Sequence, residues 1–421
     1  MNPDIIAVGR RLCDKWLALV RVAESGAAVA VNDDLRKLTS DVTSLLSFGH
    51  DFNSLERPEG SQSEDLAAIP GMVFKRTLIP VKYWRIPVLG RFLCGAAKER
   101  RLLRRVDRLL DGIIRRAKNK TTAGGDSTGS SSGSGGSKDK EETLSGGEAA
   151  ARTKPATLLA KMLQQLERDG GGGGKETYNL RRRLAGNLLS LFVAGTDTTS
   201  VVLSWMLLHL AKDAELQQQC RVEASQWDDA AFARGGSKTS ESTASNIERI
   251  LTSLPTLHAL FLEVMRCSGP LPSIFLSPHE DFTVCGSAFK GSNKTALTFI
   301  AATEFIHSLP TAAVHFGPHP ERFDARRWLL EEGVRVRLEA AAKLLTFGHG
   351  PRICPGKDLA AIEALLVAAL LLRTFTFRLP SVDDENAAAR EMQTEPVGRV
   401  TGLVCGPDKD ILLHLSVTGR L

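Results

Sequence analysis

Two apolar stretches limit what this chain can fold into: LAAIEALLVAALLL at 359–372 and NLLSLFVAGTDTTSVVLSWMLLHLA at 187–211. A helix that is apolar all round has no face to give to water, so it crosses a membrane or lies inside a large core. The shorter run carries Glu363 and falls short of the ~20 residues a bilayer span needs; the longer holds Asp197 and several hydroxyl residues at its middle. Both are expected to be helices buried on all sides. With 421 residues, 43% of them hydrophobic, the chain can supply such a core. The stretch DFTVCGSAFKGSNKTALTFIAA (281–302) mixes alternation with Gly and Asn, as short strands joined by turns do. The expected fold is therefore mainly α with a small β-sheet.

Stretches 121–150, 170–174 and 233–246 are dominated by Gly and Ser, and read as flexible insertions within one domain spanning 1–421. Between them, 96–120 places Leu102, Leu103, Val106, Leu109, Leu110, Ile113 and Ile114 at helical spacing beneath a strongly basic face. That face is either a docking surface, for an acidic protein or as a peripheral membrane contact, or a solvated outer helix. The net charge is +6, but Lys and Arg are not gathered into runs interleaved with aromatics, which argues against nucleic acid as a partner. Seven cysteines with no C-x-x-C pair argue against a disulfide framework or a zinc ribbon and for a reduced, intracellular setting. The opening MNPDIIAVGRRLCDKW is not a secretory signal. Nor is there a G-x-G-x-x-G after a strand or a Walker loop to bind a nicotinamide, flavin or nucleotide.

Three constellations carry chemistry. FGHGPRICPG (347–356) sets Cys354 in a turn with Gly350, Gly356 and Arg352, just before the run at 359. Glycines allow close backbone approach, and N–H groups aimed at a thiolate lower its pKa. Such a cysteine is either a soft, single anionic ligand for a metal or a buried structural thiol. AGTDTTS (194–200) puts an acid and threonines inside an apolar helix, which costs desolvation unless they bond one another, water or a ligand. Small Ala194 and Gly195 leave room for a small ligand, beside Asp197 and Thr198 placed to pass protons; a helix kink with a satisfied Asp–Thr pair is the alternative. Glu263 and Arg266 stand at i and i+3 in LPTLHALFLEVMR, a common surface pairing unless buried. In HPERFDARRWLL (319–330), Arg322 or Arg327 could complete an ionic cluster with them.

In this order and spacing the segments resemble the cytochrome P450 family of haem-thiolate monooxygenases, over roughly residues 4 to 418 apart from the insertions. Phe347, Gly350, Arg352, Cys354 and Gly356 match the family's F-x-x-G-x-R-x-C-x-G loop, AGTDTT its oxygen-activation stretch, and EVMR its E-x-x-R. Pro320, Phe323, Arg327 and Trp328 fit its D-P-x-x-F-x-P-x-R-W frame with Ala325 replacing a proline, which favours Arg327 over Arg322. RRLCDKW and SFGHDFNSLE look like the family's D and E helices, so the fold is expected to lack the N-terminal strands and the A to C helices. Trp16 and Arg21 are one residue too far apart for the family's W-x-x-x-R, and Leu276 stands where many members have a propionate-binding arginine, with His279 out of frame.

The resemblance implies haem b with its iron held by the Cys354 thiolate, whose electron donation favours O–O cleavage. It also implies Arg352 on a haem propionate, Phe347 against the porphyrin, Gly195 leaving space for dioxygen, and Asp197 and Thr198 delivering protons. Glu263, Arg266 and Arg327 would hold the fold around the haem. Electrons would come from a separate NADPH-dependent reductase or ferredoxin. Apolar Leu191, Phe192 and Val202 favour a hydrophobic substrate such as a lipid, terpenoid or carotenoid; DFNSLE and KYWRIPVLGR are similar to stretches of the carotenoid-ring hydroxylases of plants and algae. Family members often sit at the endoplasmic reticulum membrane or in plastids, and no anchor is expected here. Two rival readings are a truncated, catalytically silent relative and a haem-thiolate isomerase or dehydrase.

Overall fold

The computed structural model describes residues 2–23, 27–57, 64–66, 68–69, 96–123, 157–168, 175–227, 243–271, 273–276, 280–284, 286–289, 299–302, 310–330, 336, 341–380, 399–400 and 404–418. Helices dominate: α1 (Asn2–Val22), α2 (Val31–Phe48), α3 (Ala96–Ala123), α4 (Leu158–Arg168), α5 (Lys175–Lys212), α6 (Ala214–Gln226), α7 (Thr243–Ser253), α8 (Pro255–Ser268) and α9 (Lys357–Thr374). The insertion at 170–174 lies outside the described residues. The other two overlap helices, since Thr121 to Ala123 end α3 and Thr243 to Asn246 begin α7.

The run at 359–372 becomes the centre of the core. Every residue of α9 from Ala361 to Leu372 is buried, with α1, α5, α6, α7 and α8 packed around it. At Gly9 of α1 an added Cβ would stand 2.8 Å from Leu370 Cδ1, so the absence of a side chain sets how closely α1 lies on α9. The second apolar run, in α5, departs from expectation. Val202 to Leu208 are all buried, but Asn187, Ser190 and Ala194 are exposed. They recur every three to four residues, a small and polar stripe on one face of an otherwise apolar helix. Residues Arg181–Lys212 are long and apolar enough to cross a membrane, and 61% of the most apolar window is buried within the protein.

Polar groups fix the helix ends. Asp213 caps α6 by accepting from Leu216 N at 2.8 Å. Pro255 occupies the first turn of α8, whose Thr256 and Leu257 amides donate to the Glu223 carboxylate of α6 at 2.9 to 3.3 Å. Buried Arg221 donates to Leu372 O and Phe375 O, closing the end of α9 where the chain enters a strand. That strand, β6 (Phe375–Arg378), joins β1 (Ala27–Ala30) and β9 (Leu412–Val417) in an antiparallel sheet ordered β1-β9-β6, with Ala27 opposite Leu415 and Phe377 opposite Leu415 on the other side. Antiparallel pairs also join β2 (Ser273–Leu276) to β5 (Phe299–Ala302), β3 (Phe282–Val284) to β4 (Ser287–Phe289), and β7 (Arg399–Val400) to β8 (Gly406–Pro407). A second apolar cluster gathers Val106, Leu110, Ile113 and Ile114 of α3 against α4 and Leu184, Leu188 and Phe192 of α5. The arginines of α3 at 101, 104, 105 and 108 face outward.

Candidate functional site

The cysteine loop is shaped by its glycines. Gly348 and Gly350 have φ of 74° and 67°, where a Cβ is strained, so the chain reverses within a few residues. Gly350–Arg352 form a short 3₁₀ turn. The Cys354 amide donates to Phe347 O at 2.8 Å, and its carbonyl accepts from Lys357 N at 3.3 Å at the start of α9. The two ends of the motif are thereby tied together, and Cys354 is held on the outside of the turn. It is exposed, which excludes the buried structural thiol. A Cβ at Gly356 would lie 3.8 Å from Sγ, so the glycine leaves that flank of the sulfur open. Arg352 is exposed as well, while Phe347 is half-buried and stacks on Phe261 of α8 at 6.4 Å.

On α5, Thr198 Oγ1 donates to Ala194 O at 2.5 Å, which leaves the hydroxyl oxygen free to accept. Asp197 is half-buried, and burial pushes its carboxyl above the usual range against the opposing field of Arg36 on α2. Gly195 is not where the sequence placed it. An added Cβ would stand 2.7 Å from Thr43 Oγ1 and 3.0 Å from Thr43 Cγ2. The room beside Gly195 is thus taken by α2 rather than left for dioxygen, and the glycine is required by the helix contact.

The structure brings Glu263, Arg266 and Arg327 together out of water. Arg266 donates to both carboxylate oxygens of Glu263, at 2.7 and 2.8 Å, and Arg327 Nε donates to Oε1 at 2.9 Å. The Asp324 amide and Trp328 Nε1 donate at 2.7 and 2.8 Å, and the Cys267 thiol donates to Oε1 at 3.8 Å. Arg322 offers only its backbone carbonyl, which accepts from Arg266 and Arg327, while its side chain is exposed. The alternative is settled by Asp324, whose carboxylate accepts from Arg326 N and starts the turn Ala325–Trp328 that carries Arg327 and Trp328 inward. Trp328 was not assigned a role from sequence, although its place beside Arg327 marked it.

These parts meet at a cavity lined by Thr198, Thr199 and Val202 of α5, Phe261 and Met265 of α8, Pro270, Phe347 of the cysteine loop and Ala360 of α9. Phe261 and Met265 stand one turn apart on α8, a helical signal that the sequence reading left unused. The cavity is almost entirely apolar, with the exposed sulfur in the adjoining loop. Among the described residues no group of three His, Cys, Asp or Glu could hold a metal ion. The exposed Cys354 thiol offers a metal one soft ligand, and a flat apolar macrocycle that brings its own further ligands and presents carboxylates to exposed Arg352 suits these residues.

The comparisons agree. The family described as Cytochrome P450 matches residues 1–400. The chain belongs to the cytochrome P450 family. Similar curated P450 relatives include "Cytochrome P450 monooxygenase claW" of Ampulloclitocybe clavipes, 30% identical over 45% of this chain and 35% of that protein. Others are "Alkane hydroxylase MAH1" of Arabidopsis thaliana, 28% identical over 46% and 34%, and the human mitochondrial "25-hydroxyvitamin D-1 alpha hydroxylase", 31% identical over 55% and 39%. The matched P450 stretch thus spans little more than a third of each relative's length. The solved "cytochrome P450DA heme domain" is similar at a TM-score of 0.65 and 20% identity, over 99% of this chain and 73% of that one.

One motif read from sequence has structural work in this P450. DFNSLE (51–56) docks on α2, where buried Asp41 accepts from the Ser54 and Leu55 amides and Phe52 packs edge-on to Phe192 at 5.6 Å. KYWRIPVLGR and His279 lie outside the described residues. Trp16 is buried and donates to Asp34 Oδ2 at 2.8 Å, which makes it a core residue. Leu276 ends β2.

Proposed function

We propose that this chain is a haem-thiolate monooxygenase that oxidises a hydrophobic substrate: RH + O₂ + 2 e⁻ + 2 H⁺ give ROH + H₂O, with the electrons supplied by a separate reductase or ferredoxin. When bound, the haem supplies the dioxygen chemistry. The observation that carries the reading is the exposed Cys354 loop beside an apolar cavity whose other wall is the Thr198 turn of α5. Cys354 would hold the iron, Arg352 would take a propionate carboxylate, and Phe347, braced by Phe261, would pack against the ring. Thr198 Oγ1 accepts a proton-bearing water from the cavity side because its own hydrogen is committed to Ala194 O. Asp197 stores the proton, and its raised affinity for one keeps it loaded nearer neutral pH than an ordinary aspartate. Glu263, Arg266 and Arg327 act at a distance, as the clamp that holds α8 under Phe347.

The apolar lining supports a lipid, terpenoid or carotenoid substrate, in line with the relatives named as an alkane hydroxylase and a 25-hydroxyvitamin D-1 alpha hydroxylase. The outward basic face of α3 is a candidate contact for the redox partner. The test is to reduce the haem-loaded protein under carbon monoxide. A Soret band at about 450 nm, lost in Cys354→Ala, is the expected result. Protein that retains no haem sinks the enzyme reading, and product formation that continues unchanged without oxygen refutes the monooxygenase assignment in favour of isomerase or dehydrase chemistry.

A further inference from the structure

The excess charge of this chain is gathered on one helix. Residues 96–120 of α3 carry ten Lys and Arg against three Asp and Glu, a net of +7, whereas the whole chain has +6. The remainder of the protein is thus left with −1. At about 100° per residue, Arg100, Arg101, Arg104, Arg108, Arg115 and Lys118 fall within a sector of roughly 100°, and all six are exposed. They make a row about 27 Å long at 1.5 Å per residue. The acids of α3 do not balance it. Asp111 is turned to Arg181 of α5 at 2.5 Å, Glu99 lies off the sector, and Asp107 alone among the three is exposed.

A helix that only has to be wetted does not need this arrangement. Arg100, Arg104 and Arg108 follow at four-residue steps, and Arg101 stands three and four residues before Arg104 and Arg105. Like charges at these spacings repel and weaken a helix, where alternating signs would strengthen it. A row kept against that repulsion is matched to counter-charge from outside. The chemistry narrows the source. No Phe, Trp or Tyr occurs in α3, so nucleic-acid bases would find nothing to stack on. Seven of its ten cations are arginines, whose planar forks suit phosphate oxygens. The row follows the outer ridge of a helix, so it meets a broad surface. Its apolar face is already spent, with Val106, Leu110, Ile113 and Ile114 buried against α4 and α5, and has nothing left to enter a hydrocarbon layer. An electron carrier must reach the cysteine loop, which packs on Phe261 of α8 and opens α9; α3 packs instead on α4 and α5.

We propose that the exposed row of α3 is an electrostatic docking face for a membrane rich in anionic phospholipid, lying on the phosphate headgroups without inserting. Such a contact is strong at low ionic strength and screened away by salt. It also orients the protein. Leu188 and Phe192 of α5 pack under α3, and the same helix reaches the cavity at Thr198, about 15 Å along from Leu188. On the monooxygenase reading, on which this last step alone rests, docking places the cavity near a reservoir of apolar substrate.

The test is cosedimentation of the full chain with vesicles of phosphatidylcholine mixed with phosphatidylserine, and with vesicles of phosphatidylcholine alone. The protein should bind the mixed vesicles only, and lose them near 1 M salt, where the screening length falls to about 3 Å. Each Lys or Arg at an anionic surface contributes a factor of about five, so Arg101→Gln/Arg104→Gln/Arg108→Gln should bind about a hundredfold more weakly. Arg115→Gln/Lys118→Gln, at the other end of the row, should lose about twenty-five-fold on the same basis. The urea midpoints of both variants should equal or exceed that of the parent, because the changes relieve repulsion on an exposed face. Arg21→Gln/Lys212→Gln/Lys343→Gln removes as much charge as the triple variant of α3, from exposed residues elsewhere, and should bind like the parent. Equal weakening in the two triple variants would assign the effect to net charge and overturn the docking face. Binding to neutral vesicles, or binding that survives salt, would mean insertion and overturn it too. Retention on immobilised polyglutamate without vesicle binding would give the face to an acidic protein instead. None of these measurements involves haem, so loss of the carbon monoxide band would refute the monooxygenase reading and leave the vesicle result standing.

Discussion

At position 195 two effects oppose one another. Alanine is the better helix former by about 1 kcal/mol, but its methyl would lie 2.7 Å from Thr43 Oγ1, and forcing a group into a packed contact costs about 1–3 kcal/mol. Gly195→Ala should therefore lower the urea midpoint, while in a Thr43→Ala background the same change should raise it. That reversal distinguishes a steric role from an oxygen-binding one. Glu363 gives a second test. It is fully enclosed in α9 with one carboxyl oxygen unpartnered, and burial holds its pKa well above the usual carboxylate range. The folded state then keeps a proton that the unfolded chain releases, so stability falls as pH rises from about 4.5 toward the raised pKa, by about 1.4 kcal/mol per unit. Glu363→Gln should remove that slope, and it should gain on the parent protein with each pH step in urea titrations; parallel pH profiles would show Glu363 to be ionised in the core. The sequence displayed Glu363 as the one charge in an apolar run, but only the packing around it shows that one of its carboxyl oxygens has no partner among the described residues.

At the level of elements, the ionic cluster joins α8 to the segment 316–328, and its members are unequal. Glu263 receives six hydrogen bonds from five residues, one of them the long one from the Cys267 thiol, so Glu263→Gln leaves two buried guanidinium groups short of a counter-charge. It should cost about 3–5 kcal/mol, read in urea denaturation with the cysteine loop losing order because α8 supports Phe347. Arg322→Ala, which removes only an exposed side chain, should stay within about 0.5 kcal/mol. A comparable loss in both variants would mean that the cluster is held by backbone contacts alone. The pair Glu263 and Arg266 was legible from their spacing, and Arg327 from the frame around it. The face that α2 turns to α5 was not read from sequence, because nothing in one helix tells which partner will cover it. For the same reason burial all round was read for both apolar runs and holds only in α9, from Ala361 to Leu372.

For the whole molecule, stability is divided between the core around α9 and a cysteine loop that the proposed haem would complete. The α9 core is closed on every side, and β1 with β9 ties residue 27 to residue 415, a pairing that no local pattern announces. The cysteine loop rests on few contacts: its backbone turns through two left-handed glycines, and the residues from Gly350 to Pro355 are all exposed. Haem binding only the folded state should raise stability by about 2.7 kcal/mol at a concentration one hundred times its dissociation constant. That gain should not be spread evenly. When haem is removed, the Gly348, Ile353 and Cys354 amides should exchange with solvent within the dead time or soon after. The amides of α9 and of the Glu263 clamp should stay protected to the global unfolding limit, because the contacts that hold them involve no ligand. Hydrogen-exchange mass spectrometry on loaded, stripped and Cys354→Ala protein resolves this. The stripped and mutant chains should match in the loop and differ from the loaded one there alone; protection lost equally in α9 would mean that the haem is part of the core and that the chain does not hold its site open by itself.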